Sequence, residues 1–293
     1  MPAGIAVFGE VLFDIFPDGA RILGGAPFNV AWHLQALGLG PRLVSRVGDD
    51  AAGREAAAAM RAWGLSVSEL QIDATHPTGG VTVALNAGEP SYAILDKQAY
   101  DFISAPDSKL APQWLYFGSL ALRNPVARES WAKLRRRAGE TFLDVNLRAP
   151  WWRREDVLGW MEEADWVKLN VEEFCLLFGE TEDLPAAMAL ILERLSLRGL
   201  VVTCGAEGAW GISAAEGEVR VEAAAFAPVV DCVGAGDGFS AVLLAGLSLG
   251  WPFALNMRRA RDFAAAVVGI RGATAADSGF YAPFLADWGL RPV

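Results

Sequence analysis

Short apolar segments alternate with amphipathic segments along most of this chain. Residues 4–16 predict a strand that continues past a Gly-Glu break, and residues 23–38 predict a glycine turn followed by a helix. Residues 42–50 then predict a second strand, and residues 51–64 predict a helix that ends at a glycine. Strands that alternate with helices in this way indicate a parallel sheet covered by helices.

Residues 70–103 interrupt this alternation. They contain two short segments of alternating polarity, at 78–86 and 91–97, and a turn rich in Asn, Gly and Pro separates them. This pattern predicts a β-hairpin. We expect the region of about 70–103, together with part of about 9–23, to form a small antiparallel β lid beside the main sheet.

The α/β alternation returns at residue 114 and continues to the last predicted helices, with no repeat and no low-complexity linker. The predicted fold class is therefore α/β, with a doubly wound, mostly parallel sheet and a small antiparallel β lid. An apolar content of 53% is ample for a large core. We interpret residues 1–293 as a single domain that carries the lid as an insertion.

Composition excludes several classes of function. The formal net charge of -10 argues against a broad basic surface for nucleic acids. No apolar run reaches the length of about 18 residues that a membrane helix needs, and the first segment resembles a strand more than a signal peptide. The three cysteines are scattered, which fits a reducing cytoplasm better than a disulfide framework. We expect a cytoplasmic protein that binds neither nucleic acid nor membranes.

The strongest chemical signal is the segment DCVGAGDGF at residues 231–239, directly before an apolar helical run. Glycines allow successive backbone N–H groups to point at one anion, and the following helix adds its positive N-terminal end. Asp237 falls in the first turn of that helix, where a carboxylate can accept the proton of an attacking hydroxyl. A carboxylate at a helix N-terminus stays ionised and is a weak base, which phosphoryl transfer tolerates. An aspartate that only caps the helix would give the same pattern.

Two other phosphate-binding motifs do not fit. A P-loop needs a Gly-Lys pair, and none occurs in the chain. A dinucleotide fingerprint needs the spacing G-x-G-x-x-G and an acidic residue on the next strand, whereas the glycines here stand at 234, 236 and 238 and the later residues 256–263 are helical in pattern.

Six segments together resemble the ribokinase-like (PfkB) carbohydrate kinases, and their motifs are most similar to those of bacterial fructokinases. The signature D-[TC]-x-G-A-G-D matches residues 231–237. The other segments are LGGAPFNVAWHLQALG (23–38), RVGDDAAG (46–53), DVNLR (144–148), KLNVEEF (168–174) and VVTCGAEGAWG (201–211). They occur in the family's order and span nearly the whole chain.

The resemblance implies an ATP-dependent sugar kinase with a ribokinase-like fold. Such an enzyme transfers the γ-phosphoryl group to a hydroxymethyl group of a small sugar, and the motifs favour fructose. 2-Keto-3-deoxygluconate, ribose or a nucleoside are alternative substrates of the same chemistry. A non-catalytic sugar or nucleotide sensor and an NAD(P)-dependent oxidoreductase remain open as functions of other classes.

The resemblance also assigns roles to individual residues. Asp237 would be the catalytic base, and the N–H groups of Gly234, Ala235 and Gly236 would form the anion hole. Residues expected to bind the sugar are Asp14, Gly24, Gly25, Asn29, Asp101 and Arg148. Residues expected to bind Mg-ATP are Asn170 and Glu173, which would order Mg²⁺ through water, and Thr203, Gly205 and Gly208. A potassium site would be formed by Asp231, the carbonyl of Val233, and Gly272.

One departure bears on the sugar. Fructokinases commonly carry an aromatic-Arg pair near the lid, before an Ala-Asp that helps to hold the substrate, but residues 91–103 contain no arginine. A sugar acid would need a nearby cation, for which Lys97 and Arg148 are the evident candidates, although Arg148 could instead pair with Glu155 or Asp156. The lid would expose an apolar face, so a homodimer in which lids cover one another is a further expectation.

Overall fold

The computed structural model describes residues 4–86, 89–106, 109–224 and 229–291, so the tip of the predicted hairpin lies outside the described residues. The strands, in chain order, are β1 (Ile5–Phe8), β2 (Leu12–Ile15), β3 (Arg21–Gly24), β4 (Arg42–Gly48), β5 (Leu70–Asp73), β6 (Gly79–Asn86), β7 (Glu89–Ile94), β8 (Trp114–Gly118), β9 (Glu140–Asp144), β10 (Trp166–Asn170), β11 (Gly199–Thr203), β12 (Ala209–Ser213) and β13 (Gly217–Val221).

The large sheet has the strand order β13-β12-β11-β10-β9-β8-β1-β4-β5. Pairing is parallel from β5 to β11 and antiparallel only for β12 and β13 at one edge. The predicted doubly wound, mostly parallel sheet is thus confirmed. The direction of chain progression reverses between β1 and β8. Ligands of open α/β sheets bind at such a reversal, beyond the carboxyl ends of the strands.

Helices cover both faces of this sheet. They are α1 (Ala26–Ala36), α2 (Ala51–Ala62), α3 (Pro125–Arg135), α4 (Arg154–Glu162), α5 (Val171–Phe178), α6 (Leu184–Arg194), α7 (Ala235–Leu249), α8 (Phe253–Val268) and α9 (Ala282–Trp288). Side chains of β1 alternate between two cores: Ile5 and Val7 pack with α1, α2, α7, α8 and α9, whereas Ala6 and Phe8 pack with α3 to α6. A strand buried on both faces is continuously apolar, as the IAVF segment is.

A second, four-stranded sheet has the order β3-β2-β6-β7. Its outer pairs are antiparallel, including the predicted hairpin of β6 and β7, and its central pair of β2 and β6 is parallel. The lid range expected from the sequence, about 70–103, begins too early. Leu70–Asp73 extends the large sheet because it pairs in parallel with β4, and the short 3-10 turn Ala99–Phe102 is largely buried in the core.

Residues 9–11 connect the two sheets, since β1 ends at Phe8 and β2 begins at Leu12. The small sheet therefore starts at the carboxyl end of β1, beside the reversal of strand order. Helix α7 begins at the same edge of the large sheet and packs on α1 and α8. Both ends of α7 carry a glycine in the left-handed conformation, Gly234 with φ 80 and Gly250 with φ 71.

These two glycines allow a matched test of the start of α7. A Cβ at Gly250 would meet open space, whereas a Cβ at Gly234 would lie 2.4 Å from the Cα of Ala273. We expect Gly250→Ala to lower the free energy of unfolding by about 1–2 kcal/mol, the cost of a left-handed non-glycine residue. Gly234→Ala should lower it by about a further 1–3 kcal/mol because of overpacking.

Denaturant unfolding of the two variants measures this difference. Equal losses would show that the contact between residue 234 and Ala273 does not constrain the start of the helix.

Candidate active site

The first turn of α7 forms the centre of the site. Gly234 precedes it in the left-handed conformation, and Ala235, Gly236 and Asp237 make up the turn. N–H groups in the first turn of a helix have no acceptor within the helix, and they carry the positive end of its dipole. The turn can therefore bind an anion in the way that the glycine motif predicts.

Asp237 is joined to α1 by a hydrogen bond. The side-chain amide of Asn29 donates to Oδ2 of Asp237 at 2.7 Å. Burial raises the pKa of the Asp237 carboxyl, although the bond from Asn29 and the charges of Lys168 and Arg148 oppose the rise. The sequence predicts a weak base, because it shows only that the carboxylate lies at a helix N-terminus. Burial makes Asp237 a stronger base than that prediction.

A buried ion pair lies beneath this turn. The ammonium of Lys168, on β10, donates to both carboxylate oxygens of Asp144, on β9, at 3.1 and 3.0 Å. Lys168 also donates to the carbonyl oxygen of Gly236 at 3.3 Å. The hydroxyls of Ser240 and Tyr116 donate to the same Asp144 oxygen at 2.6 and 3.3 Å. This network ties two strands of the sheet to the first turn of α7.

Asp144 accordingly has a different position from the one predicted. Asp144 ends β9, and side chains at the carboxyl end of such a strand are expected to face the ligand cleft, but Asp144 is only 1% exposed and all its partners lie inside the protein. Arg148 is exposed and forms no ion pair with Glu155 or Asp156 among the described contacts, since Asp156 pairs with Arg128 and Arg153.

Asn170 and Glu173 form a capping box at the start of α5. The Asn170 side chain accepts from the N–H of Glu173, and the Glu173 carboxylate accepts from the N–H groups of Asn170 and Leu147 at 2.9 and 2.7 Å. Burial raises the pKa of Glu173, and the Asp144 carboxylate adds to the rise against the effect of these backbone donors. Glu173 thus holds the segment after β9 against the end of β10, at the same sheet edge as Asp237.

Three of the five residues predicted to bind Mg-ATP line one cavity of about 580 Å³, whereas Asn170 and Glu173 are not among its lining residues. Thr203, Gly205 and Gly208 form one side, and Ala235 and Gly236 of the α7 turn form another. Apolar side chains of α7 and α8 complete the walls, as suits a flat heteroaromatic ring. The cavity therefore ends at the predicted anion hole. The sequence did not single out its α8 wall, because alanines on a helix carry no functional pattern.

The predicted potassium residues also come together. Asp231 accepts hydrogen bonds from the N–H groups of Val233 and Gly272, both at 3.0 Å. The structure thus brings the segment before α7 against the segment after α8. Carboxylate and carbonyl oxygens are donors of the type that hard cations prefer.

The predicted sugar-binding residues gather on the other side of Asp237. Gly25, with φ 107, is the N-cap of α1, and a Cβ there would lie 2.7 Å from the carbonyl oxygen of Glu10. Gly24 ends β3 beside Asn29. Asp14 lies on β2, and burial raises the pKa of its carboxyl while the charge of Arg148 lowers it. Asn29 thus contacts Asp237, and the charge of Arg148 acts on both Asp237 and Asp14.

Asp101, which the sequence predicts to bind the sugar, is bonded within the protein in this structure. Its two oxygens accept from Nε and Nη2 of Arg123, both at 2.6 Å, and the N–H of Gln98 also donates to it. The guanidinium lies over the rings of Trp151 and Tyr100 at 4.2 and 5.2 Å. Asp101 therefore holds Arg123, an arginine from the turn after β8.

Sequence reasoning missed three charged residues: Glu10, Arg123 and Lys168. Each of the three is less than a tenth exposed. Lys168 interrupts an apolar strand, and a charge in a buried strand requires a partner. The sequence therefore indicates that Lys168 needs a partner, but it does not identify the residue that serves as one.

Comparison with known proteins agrees with this geometry. Residues 15–278 match the family model described as pfkB family carbohydrate kinase. The chain is 34% identical over 265 residues to a fructokinase of Escherichia coli and 33% identical over 266 residues to one of Klebsiella pneumoniae, with 85% of each chain covered in both cases.

Solved structures agree as well. A fructokinase from Vibrio cholerae O395 with fructose, ADP and potassium ion bound superposes with a TM-score of 0.82 at 26% identity, over 96% of this chain and 98% of that one. The aminoimidazole riboside kinase of Salmonella enterica superposes with a TM-score of 0.79 at 28% identity, over 93% and 96%. The ribokinase-like fold is confirmed.

The buried pair under α7 gives a stability prediction. Lys168→Met leaves Asp144 without its counter-charge, and we expect a loss of about 3–5 kcal/mol in the free energy of unfolding. The double variant Asp144→Asn/Lys168→Met should recover part of this loss, since no unpaired charge then remains. Lys133→Met is the matched control, because Lys133 pairs with Glu129 at the surface, where a pair contributes about 0–1 kcal/mol.

Denaturant unfolding of the three variants measures these losses in the free energy of unfolding. Similar losses for Lys168→Met and Lys133→Met would contradict a structural role for the buried pair.

Proposed function

This chain belongs to the pfkB family of carbohydrate kinases, and we propose that it transfers the γ-phosphoryl group of ATP to a hydroxymethyl group of fructose. The observation that carries the proposal is the position of Asp237. It lies in the helix turn that closes the nucleotide cavity, and it is hydrogen-bonded to Asn29 among the predicted sugar-binding residues. The fructokinase relatives at 34% and 33% identity support fructose as the sugar.

In the proposed reaction, the Asp237 carboxylate accepts the proton of the sugar hydroxyl that attacks the γ-phosphorus. The bond between the γ-phosphorus and its bridging oxygen breaks, and ADP leaves with that oxygen. The N–H groups of Gly234, Ala235 and Gly236 stabilise the charge on the transferring group, together with the dipole of α7. Proton transfer is late in such reactions, so most of the rate enhancement comes from positioning and charge stabilisation.

We propose Mg²⁺ as the metal that accompanies ATP, ordered through water by Asn170 and Glu173. The described residues contain no group of three or more His, Cys, Asp or Glu side chains able to hold a metal. This fits an ion held mainly by water and phosphate oxygens, as Mg²⁺ usually is. When bound, it would neutralise phosphate charge.

We propose a potassium ion at Asp231, the Val233 carbonyl and Gly272. The hydrogen bonds of Asp231 to both segments support this site, because an ion there would act on the segment that leads directly into the anion hole. A fructokinase with a similar fold was solved with potassium bound.

We further propose that residues 1–293 act as one domain, that the protein is cytoplasmic, and that two copies associate through the small sheet. Ile22 on β3 and Leu95 after β7 are large apolar side chains that this region exposes. No described helix is long and apolar enough to cross a membrane.

The central test replaces the base. Asp237→Asn should lower kcat for fructose phosphorylation by about 10²–10⁴-fold, the usual contribution of a general base, with little change in ATP affinity. Asp183→Asn is the control, since Asp183 caps α6 at the surface and asparagine caps equally well. A coupled ADP-release assay on both variants, with near-UV circular dichroism for folding, measures the effect. A folded Asp237→Asn variant with near-normal kcat would refute the assignment.

The pH dependence of the same assay has a defined sign. Asp237 must be ionised to accept a proton, and burial raises its pKa. We therefore expect kcat to fall as the pH is lowered through a pKa above the ordinary aspartate value of 3.8. A kcat that stays constant down to that value would contradict Asp237 as the base.

Potassium dependence tests the cation site separately. We expect activity in potassium buffer to exceed activity in sodium buffer, and Asp231→Asn to abolish the difference. Equal rates in both buffers would leave Asp231 with a purely structural role.

A further inference from the structure

We propose that His33 and Trp32, on α1, are positioning residues for phosphoryl transfer. They hold the segment 272–275, which follows α8, against the start of α7, where the anion hole is formed. The proposal rests on the proposed kinase function and adds two residues to the machinery of the same site. Both side chains are buried, so they act only through the backbone to which they bond.

The segment 272–275 depends on other parts of the chain for its shape. Residues 271–276 contain no helix or strand, and among the described residues no backbone-to-backbone hydrogen bond involves them. Yet Ala273 and Ala275 are each only 9% exposed. Since buried backbone carbonyls need a hydrogen-bond donor, the side chains that bond to this segment determine its position.

Two neighbouring residues of α1 supply these donors. Nε2 of His33 lies 3.0 Å from the carbonyl oxygen of Ala273. The indole N–H of Trp32 donates to the carbonyl oxygen of Ala275 at 2.9 Å. Because a carbonyl only accepts, Nε2 of His33 carries the proton, and Nδ1 accepts from the hydroxyl of Tyr281 at 3.0 Å. A neutral ring fits these partners, and burial lowers the pKa of His33 to about 4, although the Ala273 carbonyl opposes this.

The carbonyl that His33 binds lies directly against the start of α7. A Cβ on Gly234 would be 2.9 Å from the carbonyl oxygen of Ala273 and 2.4 Å from its Cα. One residue earlier, the N–H of Gly272 donates to Asp231 at 3.0 Å. A displacement of the segment 272–275 is therefore passed to the backbone that leads into the anion hole.

The same face of α1 also holds the proposed base. Asn29, Trp32 and His33 are three and four positions apart, so they lie on one face of the helix. Asn29 donates to Asp237 at 2.7 Å. One rigid helix face thus fixes the base through one side chain and supports the anion hole through two others. Phosphoryl transfer gains most of its rate from such relative positioning.

The first test replaces the imidazole. His33→Leu removes the donor to Ala273, so we expect kcat for fructose phosphorylation to fall by about 10–100-fold, the cost of a small displacement of catalytic groups. KM for fructose should stay close to the wild-type value, because Asn29 keeps its place. His33→Gln should retain most of kcat, since its amide can donate to the same carbonyl.

Tyr281→Phe is the matched control for that test. It removes the other bond of the same imidazole and leaves the bond between His33 and Ala273 in place. We expect it to lower the thermal midpoint and to keep kcat close to the wild-type value. If His33→Leu and Tyr281→Phe lowered kcat equally, packing around the ring would explain the loss and the proposal would be wrong.

Amide hydrogen exchange tests the same positioning without any catalysis. The N–H of Gly272 is bonded to Asp231, and the N–H of Gly238 is bonded to the carbonyl of Gly234 at 2.8 Å. His33→Leu should speed exchange at both amides by about 2–10-fold, the factor that one hydrogen bond contributes.

Gly53 is the internal reference for the exchange measurement, because its N–H is likewise bonded to an aspartate, Asp50, at the start of α2. Its exchange rate should stay constant in His33→Leu. Equal acceleration at Gly53, Gly238 and Gly272 would indicate a general loss of stability and would contradict a local role for His33.

A tryptophan pair repeats the test at the second bond. Trp32→Phe removes the donor to Ala275 and should lower kcat in the same direction as His33→Leu. Trp63→Phe is the control, since the ring of Trp63 stacks on that of Trp32 at 4.6 Å, but its N–H donates to the backbone carbonyl of Trp32 and not to the segment 272–275. Equal kcat values for the two variants would count against the proposal even if His33→Leu did not fold.

The outcomes separate this proposal from the proposed function. A wild type that binds ATP and phosphorylates no sugar refutes the kinase function, and the exchange rates at Gly272 and Gly238 still decide whether His33 positions the start of α7. An active wild type whose His33→Leu variant keeps both kcat and these exchange rates refutes the positioning role alone.

Discussion

The first turn of α7 is the constraint on which the rest of the site depends. It must present several N–H groups and a carboxylate to the same small volume, and a free helix end would not hold them there. Three contacts fix it: Gly234 packs against Ala273, Lys168 bonds the Gly236 carbonyl, and Asn29 bonds Asp237. The sheet, the segment after α8 and helix α1 therefore each hold the turn from a different direction.

The same contacts explain the electrostatics of the site. A basic carboxylate requires burial, but an anion hole requires positive charge nearby, and these demands oppose each other. Lys168 lies close enough to lower the pKa of Asp237, yet its charge is balanced by Asp144. Asp237 thus keeps the raised pKa that burial gives it. Placing a neutralised pair under the turn provides rigidity without imposing a strong net charge.

Much of this arrangement could be predicted from the sequence, because its parts are local. The alternation of strands and helices predicts the parallel sheet, and the glycine segment before an apolar helix predicts the anion site. The predicted lid range includes the edge strand β5 because a short strand next to a hairpin can belong to either sheet, and only its pairing with β4 decides. Lys168 was missed for a similar reason, since the partner that makes its burial tolerable lies on another strand.

Asp101 shows what a motif does not reveal, namely the partner that a buried carboxylate has inside the protein. The aspartate expected to hold sugar is present, but in this chain it binds Arg123, which arises from the turn after β8 and not from the lid. That guanidinium is stacked on Trp151, and its Nη2 also donates to the carbonyl oxygen of Leu95 at 2.8 Å, directly after β7. Arg123 therefore joins the edge of the large sheet to the small sheet. A buried guanidinium requires acceptors for its N–H groups, and here residues at both sheets supply them.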